Sequence, residues 1–517
     1  MLGHGVSAVI FGGVLKANKV AMSDPQVTIV VVPRERFSHS ERSLANIYEH
    51  TTYPFKLTYV SAGAPGPIRR HLERESQQRG FELVCAPHYL SPNKARNLGI
   101  REIDTKYVVF LDNDALVTPG WLQALVRCAE ETDAWVVGPL YFIGEFERQI
   151  VHMAGGVVHI REQEGKRILY EEQYHLDTPL SDVRVPFRRQ TCGHVEFHCM
   201  LARTDALERL GPLDEELLSV HEHIDFCLAV RQAGGSVYLE PQAVTTYIPP
   251  PPCKWWDLPF FMLRWSEEWN LATARHFNEK WGVSSVLHIS DKSNSTLEDT
   301  IIRFARGHRR LMTGLRISES DDDRPESPLE QAELMAAMLQ SVDRDHVDLI
   351  LTTHEGSVIQ SGSTLSPQAL LERLPHALQE AEKKNLNVTI RPVSQGHPHE
   401  PALVRVDDLD SEKLRSVQPY ALLTLETQPQ RYQCWLAVDK GNWRSAALLR
   451  RLASAGEGPS PNGHGHLAGS INVSPKYHRS GSPHRVRLVE ASTGLLNTIG
   501  QLESKGVLPY LGQSVIY

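Results

Sequence analysis

The chain has 517 residues, 41% of them apolar and 22% charged, with a mean hydropathy of -0.30; it is too long for one ordinary core, and its composition excludes a disordered or membrane-embedded protein. A net charge of -8 excludes a globally basic nucleic-acid binder, although an average over several domains can hide a local basic face. No run of 18 or more apolar residues occurs, so no integral membrane segment is expected.

The predicted elements begin at Val27 with VTIVVVP, an apolar β-branched run that fits a buried strand. SHSERSLANIYEHT follows as an amphipathic helix with Ser40 or Ser43 as its cap, and FKLTYVSAG as a second strand. Next come the strand FELVCAP, the helix NKARNLGIREI, the strand KYVVFLDND and the helix PGWLQALVRCAEE, with Pro119 at its start. This alternation predicts a parallel α/β sheet covered on both faces. Beyond it lie the strand AGGVVHI, the helix HEHIDFCLAVRQAG and the strand SVYLEP, then KWWDLPFFMLRWSEEWN (Trp255, Trp256, Trp265, Trp269), which reads as a packing helix.

Around Asp321, Asp322 and Asp323, and from Pro325 to Pro328, the chain turns acidic and proline-bearing and reads as linker. Past it, QAELMAAMLQSV and WRSAALLRRLAS read as helices, and NVTIRPV, ALVRVDDLD, YALLTLET and QCWLAVD as strands. That second half is α+β in character. The expected organisation is an extension over 1–24, an α/β domain over 25–282, a linker over 283–335, a smaller α+β domain over 336–500 and a tail over 501–517.

Seven cysteines (Cys85, Cys128, Cys192, Cys199, Cys227, Cys253, Cys434) are scattered, odd in number and without a C-x-x-C pair. They point to a reducing, cytoplasmic setting in which thiols serve as small buried groups. The opening residues lack a basic start before their apolar stretch, fit a signal peptide poorly, and read as an extension ahead of a functional start near Met22.

Ligands collect at the carboxyl ends of strands in open α/β sheets, and KYVVFLDND ends there in Asp112 and Asp114. Two carboxylates at i and i+2 can share a hard divalent cation with a diphosphate. Glu222 and Asp225, at i and i+3 of a helix, are expected to point into one pocket.

From Val27 to Gly282 the order of VTIVVVP, KARNLGI, FLDNDALVTPGWL and LGPLDEELLSVHEHIDFCLAVRQAGGSVYLEP resembles the family 2 glycosyltransferases of GT-A fold. The resemblance implies a nucleotide-sugar donor and an unidentified acceptor hydroxyl. It also implies Mn2+ or Mg2+ held by Asp112 and Asp114, with Pro33, Arg96 and Asn97 in the donor site. At the acceptor-side motif the family's general base is an Asp, where this chain has His223, flanked by Glu222 and Asp225. Imidazole suits that task at neutral pH, and Glu222 is the alternative base. Two further departures are Ser61, where the family's nucleotide-recognising strand ends in Asp, and Tyr247, where many members supply a late histidine to the metal. His194, His198 and His221 are the nearby alternatives.

ALVRVDDLD ends a second strand in Asp407, Asp408 and Asp410, a candidate two-metal set whose bland alternative is a capped turn. From Asn387 to Ser492 the order NVTIRPV, RVDDLD, LLTLETQPQRYQCWLAV, LLRRLAS, GHLAGSINVSPKY and HRVRLVEAS resembles the RepB-like DNA primase domain family. Asn472 and Lys476 match its closing motif. Nine basic residues against three acidic ones from Lys440 onward suit phosphate contacts, so nucleic acid is the expected partner of a domain read as binding without efficient polymerisation. The alternative reading of the whole chain is a primase-type replication protein whose first domain is inert or only binds a sugar nucleotide.

Overall fold

The computed structural model describes residues 25–507 and the strand Val515–Ile516, apart from residues 164, 251–252, 284, 289–295, 313, 319–320, 322–323, 395, 397–399, 440, 442–463 and 475–481. Val27–Val32 is buried at all six positions and lies at the centre of the first sheet. Lys56–Ala62 and Tyr107–Asp112 pair with it in parallel, and Glu82–Ala86 lies outside Lys56–Ala62. On the other side Cys199–Arg203 runs antiparallel to Tyr107–Asp112, followed by Val136–Ile143, Ile150–Met153 and Thr178–Pro179. The expected parallel sheet is therefore a mixed one. Val237–Tyr247 joins it by pairing in parallel with Val136–Ile143 and antiparallel with Ala115–Val117.

Local sequence explains the helices that cover this sheet. In Pro92–Gly99 the last residue must be glycine, because a Cβ there would lie 2.5 Å from Val30 Cγ1. The missing side chain lets the helix rest directly on the central strand. Ser40 and Ser43 both fall inside the helix Ser40–His50, whose cap is His39. Neither serine caps it. The Ser40 hydroxyl accepts from Asn113 Nδ2 at 2.9 Å and Ser43 Oγ donates to the Ala115 carbonyl at 2.9 Å, so both fasten the helix to the turn after Asp112. The aromatic run packs as expected, with Trp255, Trp265, Trp269 and the helix Leu258–Arg264 buried.

The span 283–335 is not a simple linker. Helix Leu297–Leu311 packs against helix Glu267–Trp281, and its Leu297 and Ile301 share a core with Val158, Leu169, Ile224 and Phe277. Arg316–Ser318 pairs with Arg487–Ser492 and so belongs to the second half's sheet. Helix Pro328–Gln340 opens on a capping box between Ser327 and Glu330 and buries nine residues, packing on both Leu258–Arg264 and Pro367–Lys384. A helix apolar on nearly every side belongs in a core, and the acidic stretch just before it conceals that in a pattern reading. Of the acidic triplet, Asp322 and Asp323 lie outside the described residues.

The second half is built on Arg316–Ser318, Arg487–Ser492, Leu423–Gln428, Arg431–Val438, Ala402–Leu409 and Val515–Ile516 in that spatial order, with Val358–Leu365, Val347–Thr352, Asn387–Pro392 and Gly465–His466 in another sheet. Residues expected to form a tail are packed: Leu502 and Val507 are buried, and Val515–Ile516 pairs with Ala402–Leu409. The expected helix WRSAALLRRLAS lies outside the described residues. All seven cysteines are free. Among the described residues no helix is long and apolar enough to cross a membrane.

Glu333, on helix Pro328–Gln340, meets Tyr89, whose ring stacks on Phe260 at 5.3 Å. Burial, with the charge of Glu330, pushes the Glu333 carboxyl up to about 7. An acid raised in the folded state stabilises the fold below its unfolded pKa and loses that contribution as pH rises through the folded value. Glu333→Gln should therefore gain stability over the wild type as the pH goes from about 5 to about 8, by on the order of 1–3 kcal/mol at the upper end. Urea melts at the two pH values measure this; a constant difference refutes it.

Candidate active site

Strand register assembles the site. Tyr107–Asp112 is buried at all six positions, and its parallel pairing with Val27–Val32 sets Asp112 beside Val32, so that Arg34, Glu35 and Arg36 emerge next to the two aspartates. Antiparallel pairing of Cys199 with Leu111 sets His198 opposite Asp112, whose backbone N–H donates to the His198 carbonyl at 3.2 Å. Pairing of Tyr247 with Ala115 brings the end of a third strand alongside, and Ile248 N donates to the Asp114 carbonyl at 3.1 Å. Asn113 locks the turn by donating to the Arg36 carbonyl at 2.7 Å.

Asp112, Asp114 and His198 are buried, and one ligand atom from each lies within 4.8 Å of the others. Asp112 Oδ2 and His198 Nδ1 lie 3.1 Å apart, whereas both Asp114 oxygens have no hydrogen-bond partner, with Arg36 Nε 3.5 Å from Oδ2. Two carboxylates and an imidazole gathered this closely can hold a divalent cation, so the residues present fit one. Burial pushes the Asp114 carboxyl up to about 7, with Arg36 opposing and Glu35 and Asp112 adding to the rise. For Asp112 burial is outweighed by His198 and Arg96, which hold its carboxyl below the usual range.

The expected residues separate into two groups. Arg96 is buried and donates to Asp112 Oδ1 at 3.1 Å, and Glu222 Oε1 lies 4.0 Å from Arg96 and 3.6 Å from Arg264. Arg34, Arg96, Asp112, His198, Glu222, His223 and Tyr247 line a cavity of about 870 Å³. Asp225 does not share it: its carboxylate accepts from Trp281 Nε1 at 2.8 Å and Lys280 Nζ at 2.9 Å, so the expected common pocket for Glu222 and Asp225 is absent. Asn97 is likewise structural, donating to the Leu213 carbonyl at 2.8 Å and Glu215 at 2.9 Å. Pro33 is buried between the first strand and Arg34 and does not line the cavity. Tyr247 stacks on His198 at 4.0 Å and gives its hydroxyl to Glu35, so it braces the histidine that joins the two aspartates.

Sequence reasoning missed Arg34, Glu35, Arg264, Glu171, Glu196 and His308. The signal for the first two was present: RER directly after a fully apolar strand sets charge at a sheet's ligand-binding edge. Arg34 and Arg264, with a hydrogen bond from Tyr247, outweigh burial and hold Glu35 down to about 2. Another cavity, of about 720 Å³, opens near Thr28, Lys56 and Asp104 at the opposite, amino ends of the strands, where ligands do not collect in open α/β sheets.

The second half does not assemble the expected two-metal set. Arg405 grips Asp407, with Gln433 also donating to it; Asp408 is exposed at a positive φ of 56°; Asp410 caps helix Ser411–Val417. The capped turn is what forms. Asn472 is buried, donating to the Thr427 carbonyl at 3.0 Å. Lys476 lies outside the described residues, as do Lys440, Arg444, Arg450, Arg451 and Arg479, while Arg485 pairs with Glu382 and Arg487 with Glu426.

Residues 41–211 match the family model described as Glycosyl transferase family 2, a stretch that includes Asp112, Asp114 and His198. The match supports a family 2 glycosyltransferase domain within the N-terminal half of the chain. A protein of Mycobacterium tuberculosis named pre-mycofactocin glycosyltransferase is 27% identical over 227 residues in each of two strains, covering 44% of this chain and 43% of the relative. The chain therefore matches less than half the length of these curated relatives. Among solved structures, GalNAc-T7 with UDP, GalNAc and Mn2+ overlaps 55% of this chain and 54% of its own at a TM-score of 0.35 and 14% identity. The primase RepB' overlaps 35% of this chain and 63% of its own at a TM-score of 0.26 and 22% identity.

Proposed function

We propose that the cavity at Asp112 is the active site of a metal-dependent glycosyltransferase that moves a sugar from a nucleotide-sugar donor to an acceptor hydroxyl. The observation that carries this reading is the buried trio Asp112, Asp114 and His198 inside the matched stretch, with both Asp114 oxygens lacking a hydrogen bond. Asp112, Asp114 and His198 would hold Mn2+ or Mg2+, which would supply charge neutralisation for the diphosphate. Arg34 and Arg264 line the same cavity and bring further positive charge towards the leaving group.

Glu222 is the acceptor-side base in this reading. Its carboxylate adjoins Arg96, which itself holds Asp112, so it lies beside the place where the transferred sugar must sit. As the acceptor oxygen bonds to the anomeric carbon, the bond to the diphosphate oxygen breaks, and the hydroxyl proton passes to Glu222. His223, the position of the family's base, turns its unpartnered Nε2 to a different cluster, with Glu171 and His194. Burial lowers the pKa of its imidazole.

The remaining proposal concerns the second half, where the basic surplus from Lys440 onward supports nucleic-acid binding through phosphates, with Asn472 and Lys476 as the family motif. The loss of a convergent Asp407, Asp408 and Asp410 set supports binding without efficient synthesis.

Asp114→Ala should abolish turnover and metal-dependent binding of UDP or GDP; calorimetry with and without Mn2+ tests this, and equal affinity in both conditions rejects the site. Glu222→Gln should lower kcat by roughly 10²–10⁴ while nucleotide affinity is retained. Full activity in Glu222→Gln together with loss in His223→Gln would return the base to His223. The full chain should shift a labelled oligonucleotide at low salt, with a log-log salt slope of roughly -0.7 per neutralised phosphate on a single strand. No shift at micromolar protein would end the nucleic-acid reading.

A further inference from the structure

Among the described residues, three groups of metal-capable side chains stand around the cavity, and they differ in what already satisfies them. The trio at Asp112 is the one assigned above. In the second, His152 Nε2 lies 3.0 Å from Glu196 Oε2, and Gln173 Nε2 donates to Glu196 Oε1 at 2.7 Å. That group holds itself together by hydrogen bonds.

The third group is Glu171, His194 and His223, one ligand atom from each within 4.8 Å of the others. Glu171 comes from the strand Lys166–Gln173, His194 from the segment leading to His198, and His223 from the first turn of the helix Glu222–Gln232. His194 is wholly buried, yet neither of its ring nitrogens has a hydrogen-bond partner. Glu171 Oε2 and His223 Nε2 are also without one. Glu171 Oε1 stands 3.9 Å from His194 Nε2, and Oε2 stands 3.7 Å from His221 Nε2, too far for hydrogen bonds but close enough to share an ion between them. Orphaned buried polar atoms are rare because each loses its water without recompense, so three residues that carry such atoms and bring one ligand atom each to a single place ask for a ligand.

The backbone is shaped for this cluster. A Cβ on Gly156 would lie 2.3 Å from His194 Cε1, and Gly193 N donates to the Gly156 carbonyl at 2.6 Å, which presses the histidine against a residue without a side chain. Only glycine leaves the ring that place.

We propose that Glu171, His194 and His223 form a second metal site, selective for a divalent transition ion of the zinc type. Two imidazoles and one carboxylate suit such an ion, whereas the carboxylate-dominated trio at Asp112 suits Mn2+ or Mg2+. Glu171 and His223 line the cavity while His194 does not, so an ion held by the three would be reachable from the cavity. The site is independent of the donor reading, since it shares no ligand with the Asp112 trio.

The test uses the full chain, stripped of metal with a chelator, in a background where D112N and D114N remove the first site. Zn2+ should bind at one equivalent by calorimetry and raise the melting temperature, and Co2+ should give the visible bands of a low-coordinate, nitrogen-ligated ion. H194Q and E171Q should each weaken Zn2+ binding by on the order of 10–100-fold or more. Circular dichroism checks their folding, and E171Q, at the cavity wall, decides the matter if H194Q does not fold. No bound equivalent in the D112N/D114N background, or unchanged affinity in the folded variants, overturns the proposal.

Discussion

The pairing of Cys199 with Leu111 is the constraint on which the site depends. A parallel sheet would deliver the two aspartates of the Asp112 turn to an edge and nothing opposite them. An antiparallel strand inserted beside that edge runs the other way, so the residue just before it, His198, meets the end of its neighbour. A slip of one position would turn Cys199, Leu201 and Arg203 to the opposite face and move His198 away from Asp112. Tyr247, at the end of a strand that pairs with Ala115–Val117, stacks on His198 and continues the same logic.

Charge balance is the second constraint. Glu35, Asp112, Asp114 and Glu222 are buried together, and burial alone would neutralise most of them. Arg34, Arg36, Arg96 and Arg264 come from one loop and two helices to oppose that, each within 4.0 Å of at least one of the four carboxylates. The balance is uneven: Asp112 is held low and Asp114 is pushed up, so the turn is left with a carboxylate that has Arg36 beside it but no hydrogen bond to either oxygen. Incomplete compensation in a buried site is a structural cost that a bound cation relieves.

Local sequence made much of this legible. The β-branched runs of the first sheet, the helices between them and the Asp112 turn all follow from short-range pattern, because each element's burial is written in its own residues. What pattern could not give were meetings across long separations. Asp225 sits one helical turn from Glu222 and seemed bound for the same pocket, but Lys280 and Trp281, 55 and 56 residues further on, claim it. Asn97 adjoins Arg96 yet faces Leu213. Ser40 and Ser43 look like caps and instead tie a helix to a turn about seventy residues away.

The same limit explains the misplaced linker, and it bears on how the halves work together. Helix Leu297–Leu311 presents Ile301, Phe304 and His308 to the cavity, with His308 stacked on Trp265 at 4.0 Å. Its other side carries Arg309, which is buried, donates to Asp345 at 2.7 Å and lies 3.1 Å from Asp343. One helix therefore walls the candidate active site and anchors the turn that leads into Val347–Thr352. Helix Pro328–Gln340 completes the connection, since its core residues touch both Leu258–Arg264 and Pro367–Lys384. Separating the halves at the acidic stretch would expose that apolar helix and take Asp343 and Asp345 from Arg309. The division visible in composition is thus not a division in packing: the second half helps to hold in place a wall of the cavity in the first.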